Sequence, residues 1–142
     1  MLGAGPGMTV WLLKTEPGEF SFDDLVQRGV EPWDGVSNQT ALRNLAAAQE
    51  GEACVIYHTG SEKQAVGLAT VARRAYPDPK QNDPKRIVID VRAGARLPNP
   101  VRLEQLKADP RFASSPLVRI GRLSVVPLTD EQYAAILELA RM

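Results

Sequence analysis

Trp33, followed at once by Asp34-Gly35, is the side chain in this sequence best suited to hold a flat ligand, because a turn at that point can expose the indole ring. A single nucleobase is read by an apolar surface for its face and directed polar groups for its edge. Asn38 lies just downstream, with an amide that both donates and accepts, as base-edge reading requires. Lys14 and Thr15 end an apolar run and offer a cation for a phosphate or base carbonyl, and a compact hydroxyl. Tyr57, His58 and Thr59 end another such run. Each residue also has a plainer use: Trp33 as an anchor sealing one end of a sheet, Asn38 as a helix N-cap, and Lys14 as a solvated charge. Thr15 is also an ordinary residue before Glu16-Pro17. Side chains alternate along a strand, so Tyr57 shares a face with Val55 and His58 with Ile56. At most one of the two reaches a pocket from this strand unless a bulge intervenes.

A later segment, Arg122 to Leu128, reads as a strand with Arg122 and Ser124 on one face and Leu123 and Val125 on the other. Leu123 serves equally as a pocket wall or as core. The densest basic region is Arg73, Arg74, Lys80, Lys85 and Arg86 around a proline-rich loop, suited to a phosphate backbone but interleaved with Asp78 and Asp83. Nucleophile chemistry finds little support. Cys54 and His58 would sit roughly 13 Å apart on one strand, at about 3.3 Å per residue, whereas a dyad needs contact near 3 Å. Cys54 reads as a small buried hydrophobe. Glu16 and Asp34 form a carboxylate pair only if the fold joins them. The chain has one histidine and one cysteine, so neither a catalytic residue nor a metal or cofactor site is expected.

The elements that position these residues are short. Thr9–Lys14 suits an internal strand, stopped by Thr15-Glu16-Pro17-Gly18. Ser21 N-caps a helix with Asp23 and Asp24 in its first turn, and Gly29 ends it. Trp33 falls in a loop or short strand. Asn38 caps a second helix through Leu42, Leu45 and Ala46, with Gly51 beyond its end. Strands follow at Ala53–Thr59, Ala65–Ala72 and Ile87–Val91, with Pro77, Pro79 and Pro84 stiffening the loop before the last. Pro98–Pro100 interrupts the chain again, and Leu103–Ala108 is a short helix. Thr129, with Gln132 three residues on, is a capping box for a final helix bearing Tyr133, Ile136, Leu137 and Ala140 on one face. This order predicts an α+β fold around a mixed sheet or small barrel, and periodicity leaves open whether the sheet closes.

The chain has 142 residues, enough for one core in one domain. Seventeen basic residues balance 17 acidic ones, so nucleic acid would have to be held by a local patch rather than by global charge. A single cysteine, no apolar run of membrane-spanning length and no signal-peptide pattern at Met1–Gly7 suggest a cytoplasmic protein with no membrane partner. Residues 1–8 read as a flexible leader or cloning remnant, with Met8 as a possible original start.

Several segments, in order, carry a family resemblance: Trp11-Leu12-Leu13-Lys14-Thr15-Glu16-Pro17, Trp33-Asp34-Gly35-Val36-Ser37-Asn38, Tyr57-His58-Thr59, Ala75-Tyr76-Pro77-Asp78-Pro79 and Gly121-Arg122-Leu123-Ser124-Val125-Val126-Pro127. Together they resemble the EVE family, which is related to PUA and YTH domains. The resemblance implies a PUA-like mixed β-barrel with short flanking helices over residues 9–142. It implies a non-catalytic module, without cofactor, holding a modified cytosine or adenine of DNA or RNA, or a free modified nucleobase. The implied base site comprises Lys14, Thr15, Trp33, Val36, Ser37, Asn38, Tyr57, His58, Thr59, Leu123 and Ser124. Arg73, Arg74, Lys85, Arg86 and Arg122 are the phosphate candidates. Where the family often carries Arg-Asn-Tyr-Gln, this chain has Ser37-Asn38-Gln39-Thr40, which lacks that cation and aromatic. The competing readings are a protein–protein adaptor, which needs an exposed apolar patch, and a nucleic-acid or nucleotide hydrolase, which needs paired carboxylates or a Cys–His contact.

Overall fold

A computed structural model describes residues 8–142. The leader reading of residues 1–7 lies outside the described residues, and Met8 is exposed. Six strands form one mixed sheet in the order β2-β5-β4-β3-β1-β6. The elements are β1 (Val10–Thr15), α1 (Phe22–Arg28), β2 (Val30–Pro32), α2 (Gln39–Ala47), β3 (Ala53–His58), β4 (Gln64–Pro77), β5 (Ile87–Arg102), α3 (Leu103–Ala108), a 3-10 turn (Pro110–Phe112), α4 (Pro116–Arg119), β6 (Val125–Leu128) and α5 (Asp130–Leu139). The α+β class and the PUA-like mixed sheet are as expected. Closure is not: the hydrogen-bonded order ends on β2 and β6, and no pairing joins those two among the described residues.

Bulky apolar residues place β1 at the sheet interior, parallel to β3 and antiparallel to β6. Trp11, Leu12 and Leu13 are buried there with Cys54, Val55 and Ile56. Two parallel neighbours need a long crossover, and the chain from Thr15 to Ala53 supplies it through α1, β2 and α2. That crossover brings Trp33 and the ends of β1 and β3 to one end of the sheet.

The caps form as their sequences dictate. The amide of Asp24 donates to Ser21 Oγ and the amide of Ser21 to Asp24 Oδ2, closing a capping box on α1. Asn38 Oδ1 accepts from the amide of Ala41 at the start of α2. Thr129 and Gln132 form the box on α5, whose Ala135, Ile136 and following Ala140 are buried.

Three boundaries depart from expectation. Strands β4 and β5 run far past Ala72 and Val91, and Pro98–Pro100 lies inside β5. The register explains the prolines: between the pairs Gly67↔Arg96 and Ala65↔Val101, Val66 alone faces Leu97, Pro98, Asn99 and Pro100. A bulge of that kind frees backbone positions from the ladder, where proline lacks the donor it would otherwise owe. The late strand is shorter, starting at Val125. Arg122 lies in an exposed turn and Leu123 is core, its amide donating to Ile120 O. Arg122 and Ser124 therefore share no strand face. The 3-10 turn and α4 were not foreseen. Both open on proline, at Pro110 and Pro116, behind Asp109 and Ser115 caps.

Candidate functional site

A cavity of about 280 Å3 opens where the end of β1, the loop before α1 and the segment around β2 converge. Its walls are Lys14 and Thr15 from β1, Glu19 and Phe20 from the loop, and Glu31, Pro32, Trp33 and Asp34. Trp33 is only 6% exposed, so it does anchor the core, yet it also walls the cavity. Its backbone amide donates to Ile89 O at 2.7 Å, extending the β2–β5 contact by one residue. The Phe20 ring meets the indole edge-on, with centroids 6.1 Å apart at 83°. This arrangement suits opposed aromatic quadrupoles and keeps both rings stiff.

Polar groups stand around this apolar corner. Thr15 Oγ1 donates to Phe20 O at 2.6 Å, tying the loop to the strand and leaving the hydroxyl oxygen free to accept. Glu19 makes no ion pair among the described residues, and Asp34 is only loosely matched by Lys80 at 4.0 Å. Lys14 Nζ donates to Gly121 O at 2.9 Å and lies over the Tyr57 ring, 5.6 Å from its centroid. Burial pulls the Lys14 ammonium below the usual lysine range, since a half-buried cation loses hydration. The cavity thus has carboxylate acceptors beside aromatic walls, with Lys14 on its border and the Lys14 ammonium directed to Gly121 and Tyr57.

The other expected residues fall elsewhere. Val36 and Ser37 line a separate depression with Asp78 and Arg86. Asn38 is exposed and serves as the α2 cap. Tyr57 and Thr59 line a second cavity of about 180 Å3, which Lys14 also borders. A register shift between Ile56 and Tyr57 turns the strand at this point, and Tyr57 and His58 are both buried. Leu123 packs in the core, and Ser124 O accepts from the Lys14 amide at 2.9 Å. Glu16 stays apart from Asp34 and accepts instead from the amide of Gly18 at 2.8 Å. The residues that sequence reasoning missed are Glu19, Phe20, Glu31 and Pro32. Phe20, directly before the Ser21 cap, was the one with a legible signal.

The basic loop is matched in part by its own neighbours. Arg73 stacks on Tyr76 with its guanidinium 3.7 Å from the ring centroid, and Arg86 faces Asp83 at 4.0 Å. Arg74 lines a shallow depression with Gln49 and Glu50. Lys85 is exposed, and its amide donates to Asp83 Oδ1.

His58 has a positioning role. The amide of Phe22, the first residue of α1, donates to His58 Nε2 at 3.0 Å, so that nitrogen is the acceptor. The proton therefore sits on Nδ1, which faces Glu62 Oε1 at 2.9 Å. The ring thus satisfies a helix-terminal donor and fixes the loop carrying Phe20. His58→Leu orphans that amide, at an expected cost of about 1–3 kcal/mol, whereas His58→Gln keeps an acceptor and loses less. Urea unfolding of the two variants checks this, and equal losses would overturn it. Cys54, four residues earlier, is enclosed in the core, its thiol pushed up first by burial and then by the Glu52 charge.

The model of the EVE domain family matches residues 9–139. The chain belongs to the EVE family. Thymocyte nuclear protein 1 of Mus musculus is 30% identical over 163 residues, covering 91% of this chain and 72% of the relative. The NMR structure of a Rhodopseudomonas palustris protein superposes with a TM-score of 0.88 at 36% identity, covering 94% of each chain. The human THYN1 protein, solved in complex with DNA containing 5-methylcytosine, superposes with a TM-score of 0.86 at 27% identity, over 94% of this EVE chain and 98% of the human one. Among the described residues, no helix is long and apolar enough to cross a membrane.

Proposed function

We propose that this EVE domain is a non-catalytic reader that holds one modified base of a nucleic acid, a modified cytosine by preference, in the cavity beside Trp33. The observation that carries this reading is the composition of that cavity: Trp33, Phe20 and Pro32 beside Glu19 and Asp34, with Lys14 and Thr15 on its border. At about 280 Å3 it lies at the small end of the roughly 300–1,000 Å3 usual for ligand sites, suiting a single ring system.

The polar pattern narrows the base. Cytosine and adenine each present an exocyclic amino donor beside ring acceptors, while thymine and uracil have no amino group. Glu19, Asp34 or the Thr15 hydroxyl oxygen would accept from the amino group, and Lys14 would donate to the acceptor edge. A methyl substituent would rest against the Phe20–Trp33 corner. The human relative solved with 5-methylcytosine DNA supports cytosine over adenine. A base paired in a duplex has to leave the stack to enter, which favours mismatched or single-stranded substrates.

The test is fluorescence anisotropy with short single- and double-stranded oligonucleotides carrying 5-methylcytosine, other modified cytosines or N6-methyladenine, against unmodified controls. A preference of about tenfold, equivalent to 1.4 kcal/mol, is expected for a modified cytosine and should vanish in Trp33→Ala. Because Trp33 is also core, Glu19→Gln provides a variant that leaves the fold intact and should weaken the same preference. Equal affinity for every oligonucleotide, unchanged in both variants, would remove the reading.

A further inference from the structure

The second cavity, bordered by Lys14, contains an unusual charge pattern for a chain of zero net charge. Lys14, Lys63 and Lys107 all line its roughly 180 Å3, and no aspartate or glutamate does. None of the three lysines makes an ion pair among the described residues. Glu62 and Glu104 share an adjoining depression with Lys63 and Lys107, but both are engaged elsewhere, Glu62 with His58 at 2.9 Å and Glu104 with Arg102 at 3.1 Å. Like charges gathered without ion-pair partners repel one another, and a bound anion relieves that cost.

The surrounding groups suit an anion as well. Thr59 offers a hydroxyl, and Tyr57, whose phenol is pushed up to about 12 by burial, remains a neutral donor. Lys63 is held at φ 47, a left-handed backbone that few non-glycine residues adopt. It persists because Lys63 O accepts from the amide of Leu103 at 2.9 Å, which locks the turn between β3 and β4 onto α3. A strained residue over-determined by its neighbours is characteristic of a functional position. That turn places Lys63 on the wall of the cavity that Lys107 also lines.

We infer that this three-lysine cavity is a phosphate site, and that it holds a backbone phosphodiester next to the nucleotide whose base enters the Trp33 cavity. The identity of the anion rests on the base-reader proposal; the existence of the anion site does not. The two cavities adjoin through Lys14 and through the strand ends, where the Thr59 amide donates to Thr15 O at 2.9 Å. The phosphate contact therefore moves from the arginines around the Pro-rich β4–β5 loop to lysines at the β3–β4 turn and on α3. Of those residues, Arg73 is stacked on Tyr76 and Arg86 faces Asp83.

The test compares the salt dependence of oligonucleotide binding in the wild type, in Lys63→Gln/Lys107→Gln and in Arg73→Gln/Arg74→Gln. Both pairs are exposed, so neither change disturbs the core. Losing one phosphate contact makes the slope of log K against log salt shallower by about 0.7 for a single strand. The lysine variant should show that change and bind about tenfold more weakly, with its ratio of modified to unmodified affinity unaltered. The arginine variant should match the wild type. Slopes that move with the arginines and not with the lysines would overturn the assignment.

A backbone phosphodiester and a free phosphate are separated by amide shifts at Thr59 and Lys63, with dimethyl phosphate and inorganic phosphate as probes. Shifts with dimethyl phosphate, alongside the altered slope, uphold the strand site. Shifts with inorganic phosphate alone, with an unaltered slope, overturn it. If the wild type shows no base preference but the lysine variant still lowers the slope, the phosphate site stands and the base-reader proposal falls.

Discussion

Replacing Glu52 by alanine is expected to lower the unfolding free energy by about 2–4 kcal/mol, because three N–H donors lose one shared acceptor. Glu52 is 1% exposed and is the acceptor at which three parts of the chain meet. Its Oε1 accepts from Trp11 Nε1 at 2.8 Å and from the amide of Gln49 at 2.6 Å, and its Oε2 accepts from the amide of Thr9. Its backbone is committed as well, with the Val71 amide donating to Glu52 O at 2.9 Å. One side chain thus ties the start of β1, the α2–β3 turn and the indole of Trp11 together, beside β4. Alanine leaves the buried Trp11 indole N–H without an acceptor, at about 1–3 kcal/mol, and takes the acceptor from two part-buried amides that solvent satisfies in part. The sum is smaller than three independent losses because they share one site. Against a total stability of about 5–15 kcal/mol, this is a shift in melting temperature of about 10 °C or more. Glu52→Gln keeps one carbonyl oxygen and should lose less. A calorimetric difference below about 1 kcal/mol for the alanine variant would refute the anchoring role.

The second large effect concerns a residue with no side chain. A Cβ built on Gly67 would lie well inside 3.0 Å of the Phe22 ring carbons. Phe22 is fully buried, so its ring has nowhere to retreat. The first residue of α1 therefore packs directly on bare β4 backbone, which lets the helix lie close to the sheet. Overpacking a filled core costs about 1–3 kcal/mol, so Gly67→Ala should fall in that range and Gly67→Val above it. The loss has a functional arm, since α1 follows immediately on Phe20 and the two share the loop that walls the cavity. Base selectivity should fall with stability in Gly67→Val. A double-mutant cycle isolates the cause: Phe22→Leu, itself destabilising, should cost less in the Gly67→Ala background than alone. Strictly additive losses would mean that the clash is not the mechanism.

The resemblance carried in the sequence was sound at the level of fold and family, and less direct at the level of individual site residues. Three expected residues, Lys14, Thr15 and Trp33, do converge on one cavity. Tyr57 and Thr59, two residues apart and so on one face of the strand, border the neighbouring one. Asn38 and His58 have structural partners, as their plainer readings held. The basic loop was the most visible charge cluster in the sequence, yet residue type alone does not reveal which arginines are already matched by acids and rings.

What the sequence determined by itself was local or patterned. The caps at Ser21, Asn38 and Thr129 follow from hydrogen bonds to amides three residues away, so their partners are written beside them. The inner strands β1 and β3 follow from runs of large apolar residues that have to be buried. The ordered motifs carried the family. What only the tertiary structure decided was long-range. The extents of β4 and β5 depend on bulges set by pairing across the sheet, and the open strand order depends on which edges find partners. Glu52 reads as an ordinary surface carboxylate until Thr9 and Trp11, more than forty residues away, are brought to it. The cavity walls come from separate stretches, around residues 14–15, 19–20 and 31–34, and Lys63 and Lys107 meet only because the Leu103 amide closes the hairpin turn onto α3. Such meetings are fixed by the register between strands distant in sequence, a quantity that no local spacing of residues encodes.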